Sequence, residues 1–434
     1  MGGVTTLLPV ERLRALPVAE QNTPGRLLRL GALLVAGCLV TAVVSLFGGL
    51  SRQAAVDEAT GRVAALSSDA AVVYRSLAAA DAMATSGFVS GGAEPVAVRQ
   101  RSDDELARAS AALAHAGGEL AEDDPARALV ADVATRLPVY SGLIETARVY
   151  NRQGLPLGQT YLTGASALLR QDMLPAVQRL RDDQSAQLAE DYGWGRAVPL
   201  AVLLLGVATL AALGDAWRRE ARRTNRTVNP GLAASAGLVS LALLWWLVAG
   251  TVSFLALGSA GAHGRAEAAL GSARVAVLQA RSNESLVLVA RSGSGASDSG
   301  FTDRLNLLLS ETGLLRKAQD AVGPEADAQL AGVRADATAW QAAHAQLRAL
   351  DDGGRYAEAA QSAIGTDPAG SRAAFDRLDA SLGAALDRQR EAQVDAAGTA
   401  HGALFGLAAG PMLLLLLAGV AAGYGIELRV KEYR

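Results

Sequence analysis

The chain has 434 residues, half of them hydrophobic but only 4% aromatic, and its formal net charge is -3. This mixture is typical of a membrane protein with large water-exposed parts. The slightly negative charge gives no basis for nucleic-acid binding. The only cysteine, Cys38, lies inside an apolar run, which excludes a disulfide framework and a CxxC metal or redox site.

Four uncharged apolar runs are long enough to cross a bilayer, which takes ~20 residues. They predict transmembrane helices at 30–50, 197–214, 231–258 and 402–426. A secretory signal peptide is the alternative for the first run. That run follows a 29-residue polar tail and is longer than the apolar part of a signal peptide, so we favour an uncleaved span.

Basic residues are concentrated in three short segments next to the predicted spans. These are the N-terminal tail 1–29, the loop 215–230 and the C-terminal tail 427–434. The positive-inside rule places all three in the cytoplasm. The two long segments, 51–196 and 259–401, are then extracytoplasmic.

The order of span, long segment and span occurs twice, with an offset of about 200 residues. Tyr140–Gly154 aligns without a gap with Trp340–Gly354 and sets Arg148 opposite Arg348. Equal lengths and equal topology favour an internal repeat over a chance match.

Both long segments have the apolar spacing of helices, and neither has an alternating strand pattern. Gly-, Pro- and Asp-rich breakers divide each segment into four helices. The sequence therefore predicts an all-α membrane protein with two up-down-up-down four-helix bundles. The first helix is expected over about 50–88 and another over 102–120. The bends at the far tips of the bundles are expected at 87–101, 151–158, 291–300 and 351–370.

A span, a four-helix bundle and a second span resemble the sensor modules of chemoreceptors and histidine kinases. Those modules pair as homodimers, so this chain resembles a tandem pseudo-dimer of them. The whole architecture, rich in Arg and Ala, also resembles the GlnX family of actinobacterial membrane proteins. That resemblance implies amino-acid sensing through a solute-binding lipoprotein similar to GlnH. It also implies relay to a cytoplasmic serine/threonine kinase similar to PknG.

Motifs for enzyme chemistry are missing from the sequence, including nucleotide-binding, zinc-protease, hydrolase and kinase signatures. The four histidines are far apart and lack ligand spacing. We therefore expect no catalytic residues, no cofactor and no metal. The leading interpretation is a transmembrane signal coupler. The alternatives are an accessory subunit of an exporter and an envelope scaffold.

Four residues are candidates for ligand binding. Asp81 and Glu284 occupy corresponding positions near the far end of the first helix of each copy. The functional hypothesis is a polar pair that faces across the pseudo-dimer and binds a ligand or fixes the register of the helices. The alternative is an ordinary solvated position on a helix. Arg148 and Arg348 could bind a ligand carboxylate. The alternative for both is a C-terminal arginine that stabilises the end of its helix.

The loop 215–230 is the candidate contact for a cytoplasmic partner. Its arginines exceed what topology requires, and a tryptophan lies among them as an interface anchor would. The alternatives are a topology signal alone and contact with anionic membrane lipids. The residues concerned are Trp217, Arg218, Arg219, Arg222, Arg223 and Arg226. Separately from the loop, a homo-oligomer of the chain is left open.

Overall fold

The computed structural model describes residues 23–58, 61, 64–91, 94–196, 200–224, 229–290 and 295–432. Almost all of these residues are helical, and none of them forms a strand. The predicted all-α class is therefore confirmed. The N-terminal tail as far as residue 22 lies outside the described residues.

The first half of the chain forms long helices joined by short turns. Their bounds are α1 (Thr23–Glu58), α2 (Ala64–Val89), α3 (Val96–Glu119), α4 (Ala126–Arg152), α5 (Leu157–Leu168), a π-helical segment (Leu169–Met173), α6 (Leu174–Arg196) and α7 (Leu200–Thr224). The π segment has a local cause. Pro175, two residues after its end, has no N–H to donate, and the Leu174 N–H donates to the carbonyl of Leu169, five residues back.

The second half begins with one unbroken helix of 61 residues. The bounds are α8 (Pro230–Ala290), α9 (Gly295–Leu309), α10 (Leu314–Val322), a 3-10 turn (Pro324–Ala326), α11 (Asp327–Asp352), α12 (Tyr356–Ile364), α13 (Ser371–Leu404) and α14 (Ala409–Glu432).

Several helix ends differ from the sequence-based expectation. The expected bend at 351–370 contains the short helix α12. The expected loop 215–230 is helical as far as Thr224, because its Arg- and Ala-rich composition favours a helix. The expected span 402–426 contains the break between α13 and α14, where Gly406 takes a left-handed φ of 75°.

Four stretches of the described helices are long and apolar enough to cross a membrane: Leu28–Glu58, Leu200–Arg222, Pro230–Ala290 and Ser371–Lys431. Each contains most of one predicted span. By length and composition, these stretches are the candidate membrane spans of the described part of the chain.

The chain divides into two compact units. The apolar unit comprises residues up to 50, residues 199–248 and residues from 406 onward. Its helices approach closely where glycines meet, since a Cβ on Gly231 would lie 2.4 Å from the Gly425 Cα. Hydrogen bonds also join them: Trp246 Nε1 donates to Ser45 Oγ over 2.7 Å, and the Thr41 and Thr209 hydroxyls lie 3.2 Å apart.

The bundle unit comprises residues 51–198, its first half, and 249–405, its second half. One continuous hydrophobic core draws on both halves. Small residues dominate α2, where Ala78, Ala80, Ala82 and Ala84 are all buried. Since alanine lets helix backbones approach closely, α2 packs tightly against its neighbours. The two halves of the bundle unit therefore contribute to one shared core.

The turn that ends α4 and the turn that ends α11 have the same backbone. Gly154 and Gly354 take left-handed φ values of 69° and 75°. The residue after each glycine donates its N–H five residues back, Leu155 to Tyr150 and Arg355 to Leu350, over 3.0 and 2.8 Å. Glycine tolerates this conformation without steric cost, which explains its place in both turns.

Candidate functional site

Two carboxylates are buried inside the bundle unit. Asp81 on α2 is 2% exposed, and Glu284 on α8 is fully buried. The solvated position considered for both residues is therefore wrong. Burying a charged group costs free energy unless hydrogen bonds or opposite charges compensate it. The surroundings of each carboxylate therefore decide what it can do.

Asp81 is held by hydroxyl groups from three different helices. Tyr140 on α4 and Ser166 on α5 donate to Oδ1 over 3.3 and 2.6 Å, and Ser282 on α8 donates to Oδ2 over 2.7 Å. Burial and then the negative charge of Asp81 raise the pKa of Tyr140 well above its ordinary value, so the phenol remains a donor. One of the three donors comes from the second half of the bundle unit.

Glu284 is held by charged and neutral donors that all come from its own half. Arg281 donates to Oε2, while His344 Nδ1 lies 3.0 Å from Oε1, which also accepts a bond from Ser371. Burial alone raises the pKa of Glu284, but the Arg281 charge and the bonds from His344 and Ser371 outweigh it and bring the pKa below its ordinary value. Glu284 is therefore ionised.

His344 connects this buried site to the surface. Its Nε2 lies 3.2 Å from Oδ1 of Asp298 on α9, a carboxylate that is about half exposed. The imidazole stacks on Phe301 with ring centroids 3.6 Å apart. Both ring nitrogens thus lie within hydrogen-bond distance of carboxylate oxygens.

The two sites use the same kinds of residue in the same roles. In each half a serine donates to the carboxylate, Ser166 of α5 to Asp81 and Ser371 of α13 to Glu284. An indole replaces the phenol in the second half, where Trp340 Nε1 donates to Ser371 over 3.0 Å rather than to the carboxylate. The arginine and histidine of the Glu284 site are the chief difference between the two.

Polar contacts across the boundary between the halves extend beyond the bond to Asp81. The Ser86 and Ser285 hydroxyls lie 3.2 Å apart, and Arg170 from the π segment donates to the side chain of Asn283. We call these contacts between the two halves the seam. Because hydrogen bonds require defined partners, a seam with several of them favours one register of α2 against α8.

The two candidate arginines lie near the matched turns and are paired with acids. Arg148 is 4% exposed and has Glu94, Asp103 and Glu145 within 3.0, 3.4 and 2.5 Å. Burial raises the pKa of Glu94, although Arg148 opposes that effect. A ligand carboxylate at Arg148 would therefore have to replace one of these acids.

Arg348 is less buried and makes a similar set of contacts. Its guanidinium lies 3.3, 2.6 and 2.7 Å from Asp298, Asp351 and Asp352. Since Asp298 also contacts His344, Arg348 belongs to the same network as Glu284. Arg148 contacts Glu94, Asp103 and Glu145, whereas Asp81 contacts hydroxyl groups. Among the described contacts, the second pair of candidates belongs to one network.

Five of the six candidate residues of the loop lie on the last turns of α7, which ends at Thr224. Trp217 packs against the apolar core of its unit, whereas Arg218 and Arg222 are exposed. Arg219 pairs with Asp215 over 2.6 Å. The side chain of Arg223 and all of Arg226 lie outside the described residues.

Residues 55–193 match the family model of the actinobacterial sensor domain. The match covers the first half of the bundle unit, including Asp81 and Arg148, and identifies it as a sensor region. No curated protein and no solved structure shows significant similarity to the chain. Within the described residues, no cluster of three or more His, Cys, Asp or Glu side chains could hold a metal ion.

Sequence reasoning missed most residues that hold the two carboxylates. His344 was set aside for its lack of ligand spacing, and Arg281, Ser282 and Ser371 were not singled out. One signal was present. The run "QARSNES" at 279–285 is polar, yet it interrupts an apolar helix without a Gly or Pro breaker. A polar run inside a helix packed on all sides predicts buried hydrogen bonds.

Proposed function

We propose that the protein is a non-enzymatic transmembrane sensor that passes an extracytoplasmic signal to a cytoplasmic regulator. The observation that carries this proposal is the sensor-domain match over the half of the bundle unit that contains Asp81. The four long apolar helices support a membrane location. The spans, the tandem pseudo-dimer and the cytoplasmic position of both termini belong to the proposal.

The seam supplies a means of transmission. Asp81 in the sensor region accepts a hydrogen bond from Ser282, which belongs to the helix α8 that begins at Pro230. A ligand that binds one register of α2 and α8 more tightly than another shifts the population between them. Helix shifts of ~1–2 Å are common in such transitions. Because α8 is unbroken, a shift at Ser282 acts along the whole helix.

On the cytoplasmic side, we propose that the arginines at the end of α7 contact a serine/threonine kinase. Exposed arginines bind carboxylates bidentately, and Arg218 and Arg222 are exposed. On the extracytoplasmic side, a solute-binding lipoprotein that carries an amino acid is the proposed source of the signal. Both partners follow from the resemblance to the GlnX family.

Cysteine labelling tests the topology. In a Cys38→Ala background, Ser90→Cys and Ser310→Cys should react with a membrane-impermeant maleimide in intact cells, and Thr224→Cys should react only after lysis. Labelling of Thr224→Cys in intact cells would overturn the orientation and the sensor proposal with it.

Affinity purification from crosslinked cells tests the output. A variant with Lys in place of Arg218, Arg219, Arg222, Arg223 and Arg226 keeps the charge that sets topology but loses the planar guanidinium. We expect a kinase to co-purify with the wild-type chain and to be lost from this variant. Recovery of a transport ATPase would support the exporter alternative. Undiminished recovery of the kinase with the five-Lys variant would mean that the arginines serve only to set the topology.

A further inference from the structure

The described bundle residues at 51–196 and 259–401 expose few large apolar side chains, and most of them cluster. The exposed ones are Val96, Val139, Val149, Leu155, Leu157, Leu307 and Val394. Four of these lie at one end of the first half, where α3 and α5 begin and α4 ends. We call Val96, Val149, Leu155 and Leu157 the first tip; their exposed fractions are 70, 40, 45 and 45%.

Contacts between helices bring these segments together. Arg99, one turn after Val96, bonds Glu145 of α4 over 3.0 Å, and Arg148 pairs with Glu94 just before α3. The start of α3 and the end of α4 are therefore neighbours, and Leu155 follows α4 by one turn. Clustered exposed apolar side chains mark interaction sites, whereas scattered ones do not.

The second half provides an internal control. The turn at Gly354 has the backbone of the turn at Gly154, but Ala349, Arg355 and Ala357 stand where the first half has Val149, Leu155 and Leu157. Arg355 pairs there with Glu358. Since the same turn forms with an arginine at the leucine position, the exposed leucines are not required by the fold. They are available for a contact.

We infer that the first tip docks an extracytoplasmic protein through an apolar concavity on that protein. The tip has an apolar centre and a rim of half-exposed charges, Arg99, Asp103 and Glu145, which is the arrangement of a protein–protein interface. The rim carboxylates disfavour a surface of anionic lipid. The sensor-family match includes this tip and does not include the corresponding turn at Gly354, which carries Arg355.

A second copy of the chain is not the occupant. In the proposed topology the tips are expected to lie farthest from the membrane, so two copies in one bilayer cannot meet tip to tip. The inference rests on the proposed function only for the side of the membrane on which the partner is found.

Site-specific photocrosslinking tests the docking surface. Benzoylphenylalanine is placed at residue 155 or 157 of the full chain in intact actinobacterial cells. Residues 355 and 357, in the corresponding turn at Gly354, are the matched positions and define the second tip. We expect one protein, identified by mass spectrometry, to be captured from 155 and 157 at least 10-fold more than from 355 and 357. Equal capture at both tips, capture of a second copy, capture of lipid or no capture would overturn the inference.

The captured protein, once purified, provides the second measurement. Its Kd for the full chain in detergent should rise at least 10-fold with Leu155→Asp and Leu157→Asp together, and should not change with Ala357→Asp. Circular dichroism confirms that each variant is folded, and Leu155→Ser with Leu157→Ser replaces the Asp pair if it is not. An unchanged Kd would overturn the inference.

Failure of the inference can be told apart from failure of the proposed function. A cytoplasmic protein captured at residue 155 would uphold the docking surface and overturn the topology. Correct labelling of all three cysteines without capture at residue 155 would uphold the topology and overturn the docking surface.

Discussion

The two buried carboxylates of the bundle unit are stabilised in different ways. Asp81 relies on three neutral hydroxyls, one of them from the other half. Glu284 relies on an arginine and a histidine of its own half as well as a serine. A carboxylate held by neutral donors can exchange partners without leaving a buried cation behind. The Asp81 site is thus suited to a shift between the halves, and the Glu284 site to a fixed structure.

The largest expected effect comes from Glu284→Gln. The change leaves Arg281, 4% exposed, without its counter-charge, and removing one partner of a buried ion pair costs about 3–5 kcal/mol. Thermal unfolding of the full chain in detergent, followed by circular dichroism, should show a midpoint several degrees lower. Glu358→Gln, at an exposed pair, is the control and should leave the midpoint unchanged. Equal midpoints for the two variants would contradict the charge-based account of this site.

Acid should remove part of the same contribution. The pKa of Glu284 is lowered from 4.5, so its stabilising effect is complete above that pH and is lost as the pH falls through the lower folded value. The difference in unfolding midpoint between wild type and Glu284→Gln should be constant from pH 7 to about 5 and should shrink below about 4.5. A difference that grows on acidification would mean that folding raises the pKa of Glu284 rather than lowering it, which would contradict this account.

A smaller loss is expected from Asp81→Asn. Asparagine keeps one oxygen to accept from Tyr140 and Ser166, but its NH₂ group replaces the oxygen that accepts from Ser282. Leaving one buried donor without its acceptor costs about 1–3 kcal/mol, and we expect a loss of that size because no buried arginine is left unpaired. The same melting experiment ranks the two variants. A larger loss for Asp81→Asn than for Glu284→Gln would mean that the hydroxyls do not compensate the aspartate.

The smallest expected effect concerns the matched turns. Gly154→Ala and Gly354→Ala each place a side chain in a left-handed conformation, which costs about 1–2 kcal/mol. Apart from the adjacent residues of the chain, no heavy atom lies within 4 Å of either added Cβ, so the expected cost is conformational. The two midpoints should fall by equal amounts. A marked inequality would show that the turns differ in more than their side chains.

The sequence predicted the helices because their causes are local. Apolar spacing and the breakers around Gly154 and Gly354 act over a few residues, and both glycines are where the turns require them. The alignment of the two copies predicted only that Asp81 and Glu284 occupy corresponding positions in the sequence. Their donors were not predicted, because Ser282 reaches Asp81 across 201 residues of chain and His344 reaches Glu284 across 60. Such contacts depend on how helices pack, which helical spacing does not determine.

The break between α13 and α14 and the π segment were missed for a different reason. Gly406 lies inside an apolar run that reads as a single span, and its left-handed φ depends on the packing around it. Pro175 was visible in the sequence, but a proline inside a helix can produce either a kink or a π segment. Local sequence does not distinguish between these outcomes.

The register of α2 against α8 is the central claim, because both the shared core and the Asp81–Ser282 bond depend on it. The most direct test is a disulfide between Ser86→Cys and Ser285→Cys in a Cys38→Ala background, since the two native hydroxyls lie 3.2 Å apart. Ser86→Cys with Val289→Cys, one helical turn farther along α8, is the control. Mild oxidation of the full chain in membranes should crosslink the 86–285 pair within single chains and leave the 86–289 pair largely reduced. Preferential crosslinking of the 86–289 pair, crosslinks between two chains, or free thiols at both 86 and 285 would contradict this packing.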